Sequence, residues 1–207
     1  MKRTKHTPIC FVISSPSGAG KTTIVEAVLK KEEKIEKTIS HTTRKKRPSE
    51  KNGLDYYFVD SKTFHQLEKS GQMLESADVY EFQYGTSKKE IERILSKGND
   101  AVLVIEDEGA KNIKRLFPRS VFVLILPPSL KELERRILKR KSGEEDVERR
   151  IKNATREIRN MIWYDYVIIN DELEDSVKLL RNIIASERAK LPPQKDSIFE
   201  QFLNGKN

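Results

Sequence analysis

At 207 residues the chain is long enough to bury a sizeable core and too short for a second independent domain. Its 40 basic and 32 acidic residues leave a formal charge of +8, which favours polyanionic partners without choosing among nucleotides, nucleic acid and acidic membranes. The single cysteine, Cys10, excludes an internal disulfide and fits a reduced, cytoplasmic setting, and no stretch approaches the roughly 18 consecutive apolar residues of a membrane span.

The basic start Met1-Lys2-Arg3-Thr4-Lys5 runs into an apolar stretch of strand length with no cleavage pattern, so it is not read as a signal peptide. Ile9 to Ser14 is a short β-rich apolar run, the pattern of a buried strand. A helix follows from Lys21 to about Lys31, with Ile24, Val25, Val28 and Leu29 at helical spacing. Beyond a basic, turn-rich stretch, Asp55 to Val59 is an expected strand, and Ser61 is placed to cap a helix ending near Gly71. Lys88 to Leu95 reads as a helix closed by Gly98. The apolar runs Ala101 to Ile105 and Val121 to Leu126 resemble buried parallel strands, separated by a short helix around 109 to 116. Ser129 caps a helix beginning at Leu130, which enters the charged stretch Arg135 to Arg150 as a helix, loop, helix hairpin. Tyr166 to Ile169 is a last strand, followed by an amphipathic helix from about Glu174 to Leu191 that Pro192-Pro193 ends. The polar tail from 192 onward is peripheral, with Ile198, Phe199, Phe202 and Leu203 available to dock a short helix. Strands alternating with helices imply an α/β layered fold.

Between the first strand and the first helix lies Ser15-Pro16-Ser17-Gly18-Ala19-Gly20-Lys21-Thr22, close to the phosphate-loop pattern G-x-x-x-x-G-K-[ST]. Successive backbone N–H groups and the helix N-terminus hold anionic phosphates in such a loop. Lys21 neutralises charge on the transferring group, and Thr22 is the candidate Mg²⁺ ligand, directly or through water. Ser15 stands where the pattern has its first glycine, which is harmless unless that position needs positive φ.

From about residue 9 to 190 the sequence resembles guanylate kinase. The marks are the phosphate loop, Ser40-His41-Thr42-Thr43-Arg44 through Arg47-Pro48, Gly53-Leu54-Asp55-Tyr56-Tyr57-Phe58, Tyr84-Gly85-Thr86, Pro127-Pro128-Ser129 and Ile169-Asn170-Asp171, in the family's order. The resemblance implies a phosphate-loop α/β fold with a parallel core sheet and helices on both faces. It implies a core over about 9–39, 97–136 and 156–191, a GMP-binding insertion over about 40–90, and a lid over about 137–155. The implied activity is Mg²⁺-dependent transfer of the ATP γ-phosphate to GMP. ATP would lie on Ser15 to Thr23 with Arg136 and Asn170, Asn170 near adenine. Ser40, Arg44, Arg47, Tyr56 and Tyr84 would gather around the GMP phosphate, a placement that suits arginine forks and hydroxyl donors. Glu75 and Glu106 would accept from guanine N1 and N2, and Thr86 would donate to O6. Lys21, Arg44, Arg47 and the lid arginines Arg140 and Arg150 would stabilise the transferring charge.

The stretch Val104-Ile105-Glu106-Asp107-Glu108-Gly109 departs from the family's usual Asp-Ile-Asp-x-Gln-Gly: Val104 replaces an aspartate that lies near the metal, and Glu106 replaces a second one. The roles of Asp107 and Glu108 stay open. His41 is expected to be structural. Two other readings remain: a non-catalytic module whose cleft binds a phosphopeptide, and a phosphate-loop kinase for another small phosphorylated acceptor. Neither a nucleic-acid motif nor a membrane or obligate protein partner is expected.

Overall fold

The structure, a computed structural model, describes residues 7–79, 81–139, 151, 152, 154, 155, 158, 159 and 162–190. In chain order its elements are β1 (Cys10–Ser14), α1 (Lys21–Leu29), β2 (Ile35–Lys37), β3 (His41–Thr42), β4 (Tyr57–Phe58), α2 (Ser61–Lys69), β5 (Met73–Val79) and β6 (Phe82–Ser87). Then come α3 (Lys88–Leu95), β7 (Asp100–Val104), α4 (Asp107–Leu116), β8 (Val121–Leu126), α5 (Leu130–Leu138), β9 (Tyr166–Ile169) and α6 (Leu173–Ala189). Residues 140–150 of the lid expected over about 137–155 and the tail from 192 lie outside the described residues, and so do Arg140 and Arg150.

Five parallel strands form the core sheet in the order β2-β7-β1-β8-β9. Every residue of β1 is buried, as a central strand covered on both faces requires. The strand period of two divides its side chains between the two layers. Phe11 and Ile13 pack with Val25 and Val28 of α1 and with Leu180 and Ile184 of α6. Val12 belongs to the opposite cluster with Leu103, Phe122, Ile94 of α3 and Ile113 of α4. Each such fully buried side chain contributes about 1.5–3 kcal/mol of transfer free energy. At the far end of the molecule Arg188 clamps α6 to the sheet: its Nε donates to the buried Asp100 at 2.7 Å, whose other oxygen accepts from Ile9 N–H at 2.8 Å.

From β1 the chain runs out to the β2 edge, returns to β7 beside β1, and later crosses to β8 on the other side of β1. That reversal of direction opens a crevice at the C-terminal ends of the strands, the usual ligand position in open α/β sheets. Between β2 and β7 the chain builds a second, four-stranded sheet of order β4-β3-β6-β5, antiparallel except for the β3–β4 pair.

Four of the five core strands fall where the apolar runs put them, but β2 and the second sheet are less legible. The expected strand Asp55 to Val59 shrinks to Tyr57–Phe58. The α2 cap is Asp60 rather than Ser61: its carboxylate accepts from Thr63 N–H at 2.7 Å, and an ionised acceptor serves a helix N-terminus well. Strands β2, β3, β5 and β6 have no clear signal, because their short, polar-rich sequences lack an apolar run. The turn before β2 is also disguised, since Lys34 and not a glycine takes the left-handed conformation there, at φ 56°.

Candidate active site

The phosphate loop leaves the C-terminal end of β1 and enters α1 with no side-chain cap, so the first N–H groups of the helix remain available to an anion. Gly20 is the capping residue at φ 96°, and a Cβ there would collide with the Asn170 amide. Ser15 keeps negative φ, since Lys34 is the one described non-glycine residue with positive φ; the loss of the first glycine therefore costs no backbone strain. Ser15 is buried, and its hydroxyl donates to Pro16 O at 3.1 Å. Ala19 N–H also donates to Pro16 O, at 3.2 Å, which closes the turn through Ser17 and Gly18. Thr22 and Thr23 are exposed on the first turn of α1.

Asn170, at the end of β9, is buried and braces this loop: its amide donates to Ala19 O at 2.7 Å while its Oδ1 accepts from Ser176 Oγ at 3.0 Å. Arg136 of α5 lies against the same point, donating to Asn170 O at 3.0 Å and to Glu132 at 2.7 Å. Both expected donor-side residues are thus brought to the loop, Asn170 by bonds to the loop backbone itself.

The second sheet supplies the facing wall. Tyr84 and Thr86 are two apart on β6 and share a face, and Thr86 pairs in register with Glu75 of β5. Ser40 joins them, its Oγ 3.2 Å from Thr86 Oγ1. Glu75 is 6% exposed, and burial pushes its carboxyl from an ordinary 4.5 up to about 7, although the Thr86 hydroxyl and N–H favour the charged form. Room for that carboxylate comes from Gly109 of α4, where a Cβ would collide with Glu75 Oε2.

Arg44 donates to the Tyr84 hydroxyl at 3.2 Å and lies over the Tyr56 and Phe58 rings at 5.6 and 5.7 Å. A further contact is Glu50, whose Oε1 accepts from the guanidinium at 2.7 Å and whose Oε2 accepts from Arg47 N–H at 2.8 Å. That hydrogen bond holds the Arg44 guanidinium above its ordinary pKa and the Glu50 carboxyl below its own. Tyr56 and Tyr84 meet edge to face with centroids 5.8 Å apart, and burial raises the Tyr56 pKa. Arg47 is placed beside this cluster by its backbone alone; its side chain is exposed. His41 is packed rather than chemical, its ring 4.8 Å from that of Tyr57.

Glu106 joins the two walls. It is the N-cap residue of α4, and its Oε1 accepts from Lys21 Nζ at 3.1 Å, while Lys21 also donates to Ile105 O at 3.2 Å. Its charge also acts on Glu75 and Tyr56, raising both pKa values, so one carboxylate stands between the phosphate loop and the second sheet. Asp107, the neighbouring acid, is engaged by Lys111 at 2.6 Å and by the Tyr164 hydroxyl at 3.5 Å; Glu108 is exposed. Among the described residues no group of three or more His, Cys, Asp or Glu is arranged to hold a metal. None of their helices is long and apolar enough to cross a membrane.

Sequence reasoning missed Glu50 and Gly109. Glu50 gives no local signal, because it follows Pro48 in a charged loop and meets Arg44 only when that loop folds back. Gly109 was visible only as the start of an expected helix and the end of a family stretch, and its reason lies in a contact with β5.

The family model for guanylate kinase matches residues 7–187. Guanylate kinase of Clostridioides difficile (strain 630) is 42% identical over 195 residues, covering 94% of this chain and 95% of that one. Guanylate kinase of the Wolbachia of Brugia malayi is 45% identical over 184 residues, covering 88% and 94%. A crystal structure of guanylate kinase from Anaplasma phagocytophilum superposes with a TM-score of 0.75 at 36% identity, over 89% of this chain and 88% of that one.

Proposed function

This chain belongs to the guanylate kinase family, and we propose that its cleft performs ATP:GMP phosphotransfer with the residues described above in the following roles. The observation that carries the reading is the continuity of the two walls: the base-facing pair Glu75 and Thr86, and the phosphate loop through Lys21, meet at Glu106.

On the donor side, the loop from Ser15 to Thr23 wraps the ATP phosphates with backbone N–H groups, and Lys21 exchanges Glu106 for a phosphate oxygen. Arg136 and Asn170 lie next to the nucleotide. On the acceptor side, Ser40, Arg44, Arg47, Tyr56 and Tyr84 hold the GMP phosphate. Glu75 as the carboxylate accepts from guanine N1–H and N2–H, Thr86 donates to O6, and Glu106 accepts from the remaining N2–H. A GMP phosphate oxygen then attacks the γ-phosphorus in line. The bond to the β,γ-bridging oxygen breaks, and ADP and GDP result. No side chain is covalently modified, so the contribution of the chain is positioning and charge cancellation by Lys21, Arg44, Arg47, Arg140 and Arg150.

Mg²⁺ fits the donor set present. With no acid cage among the described residues, the exposed Thr22 hydroxyl is the side chain that would hold such a hard cation, alongside the nucleotide and water. Bound there, it would supply neutralisation of phosphate charge. Residues of about 40–90 form the acceptor-binding region, about 137–155 the lid, and about 9–39, 97–136 and 156–191 the core, with the tail peripheral. A cytoplasmic site of action matches the substrates. The test is a coupled assay with ATP and a panel of GMP, dGMP, IMP, AMP and UMP. Turnover of the guanine acceptors well above that of IMP, and none with AMP or UMP, is expected; no turnover with GMP would refute the reading.

A further inference from the structure

Ser87 opens α3 with the Ser-x-x-Glu spacing in which the acid normally reaches back to the N–H of the capping residue. Ser87 makes its half of that exchange, its Oγ accepting from Glu90 N–H at 3.3 Å. Glu90 is spent elsewhere. Its carboxylate, in a residue 3% exposed, accepts from the backbone N–H of Ile39 at 3.1 Å and from Arg93 Nε and Nη2 at 3.2 and 2.9 Å. Arg93 continues to Glu36 of β2 at 2.8 Å, and Glu36 also accepts from Asn99 at 2.6 Å.

The place of these bonds gives them their meaning. The chain leaves the parallel sheet after Lys37 and enters the second sheet at His41, and α3 carries it back from β6 to β7. The bond from Glu90 to Ile39 therefore ties the outgoing connection to the returning one. Ile39 precedes Ser40, whose hydroxyl meets Thr86 and whose carbonyl accepts from Tyr57 N–H at 2.9 Å. Stability alone does not call for an acid at this depth, where an apolar side chain would serve as well and a carboxylate is tolerated only when paired.

We propose that Glu90, held by Arg93, is a positioning residue for the acceptor half of the cleft, fixing the crossover at Ile39 and thereby the relative placement of Ser40 and Thr86. The proposal rests on the function assigned to the cleft above. It belongs to the acceptor side, because among the described residues the phosphate loop and Lys21 share no bond with this network.

Steady-state kinetics with ATP and GMP, together with amide hydrogen exchange, test it. Glu90→Ala leaves the Ile39 N–H without its acceptor and is expected to raise KM for GMP about tenfold, with KM for ATP changed less than about twofold. Glu90→Gln keeps an oxygen for that N–H and is expected to restore KM for GMP to within about threefold of wild type. Exchange at Ile39 should accelerate in Glu90→Ala and not in Glu90→Gln. An unchanged KM for GMP, an equal rise for both substrates, or a Gln variant as impaired as the Ala variant overturns the proposal. Should Glu90→Ala not fold, Arg93→Met decides: a raised KM for GMP is expected, and wild-type kinetics overturn the assignment. Wild-type turnover of GMP is measured first; its absence would strike at the function of the cleft, while the exchange result still judges the brace.

Discussion

Replacing Glu75 with Gln separates the binding role of this carboxylate from its cost to the fold. Burial raises its pKa from 4.5 to about 7, so the folded state favours the protonated form. The stability this contributes is fully present below pH 4.5 and is lost as pH rises through 7. The difference between 7 and 4.5, at about 1.4 kcal/mol per unit, makes ionised Glu75 a burden of about 3 kcal/mol on the empty enzyme above pH 7. Gln is nearly isosteric and does not ionise. The variant should therefore match wild type near pH 4.5 and be more stable by up to about 3 kcal/mol near pH 8.5, which for a chain of this size is a Tm difference of about 6–12 °C. Guanine binding should move the other way, because the Gln amide turns a donor toward the N1–H and N2–H donors; a loss of about 100-fold in kcat/KM for GMP is expected. Urea unfolding at the two pH values and steady-state kinetics measure both effects. A stability difference independent of pH, or a Gln variant less stable than wild type at pH 8.5, would refute the reasoning, since either means that Glu75 is not ionised against the preference of the fold.

Two substitutions probe the phosphate loop. Lys21→Ala should lower kcat for GMP phosphorylation by about a thousandfold or more while far-UV circular dichroism stays unchanged, because the loop loses its charge partner and no core volume. Gly20→Ala should cost about 2 kcal/mol or more in urea unfolding, and most of the activity with it, since the residue sits at φ 96° and its new methyl group would displace the Asn170 amide from Ala19 O.

The central strands of the parallel sheet, β1, β7 and β8, were readable because they are buried on both faces and so appear as uninterrupted apolar runs, Val121 to Leu126 being the clearest. The phosphate loop was readable for a different reason: its chemistry is local, carried by consecutive residues between one strand and one helix. The acceptor wall was not, beyond its resemblance to a family. Glu75 and Thr86 come from two strands and Ser40 from the connection before a third, and nothing in Met73-Leu74-Glu75-Ser76-Ala77-Asp78-Val79 marks a strand whose one inward carboxylate is buried. The pairing that supports the proposed base-reading role of Glu75 is a cross-strand register with Thr86, and its space is a missing side chain on α4; both are properties of the fold. The same holds for Glu90, whose sequence context predicts an ordinary capping box and whose carboxylate turns to another segment.

In the proposed reaction one acid, Glu106, would serve two substrates in turn. Its carboxylate is bound to Lys21, but that carboxylate is 42% exposed, and a pair of this kind is worth about 1 kcal/mol or less. A nucleotide phosphate offers Lys21 charge-assisted bonds of about 1.5–3 kcal/mol, so ATP should displace Glu106 readily. Once released, Glu106 faces Glu75, a like charge, unless a donor lies between them; the N2 amino group of guanine is such a donor. IMP lacks it. Glu106→Ala should therefore raise KM for GMP by about 10-fold, the value of one buried hydrogen bond, and change KM for IMP by less than about 2-fold, with KM for ATP little altered. The same logic makes GMP binding to the wild type tighter when a non-hydrolysable ATP analogue occupies the phosphate loop, by a factor that the Ala variant loses. Kinetics with the two acceptors and titrations with and without the analogue measure both. If GMP and IMP suffer equally and the analogue has no effect on wild-type affinity, Glu106 does not read N2, and its place beside Lys21 belongs to the donor phosphates alone.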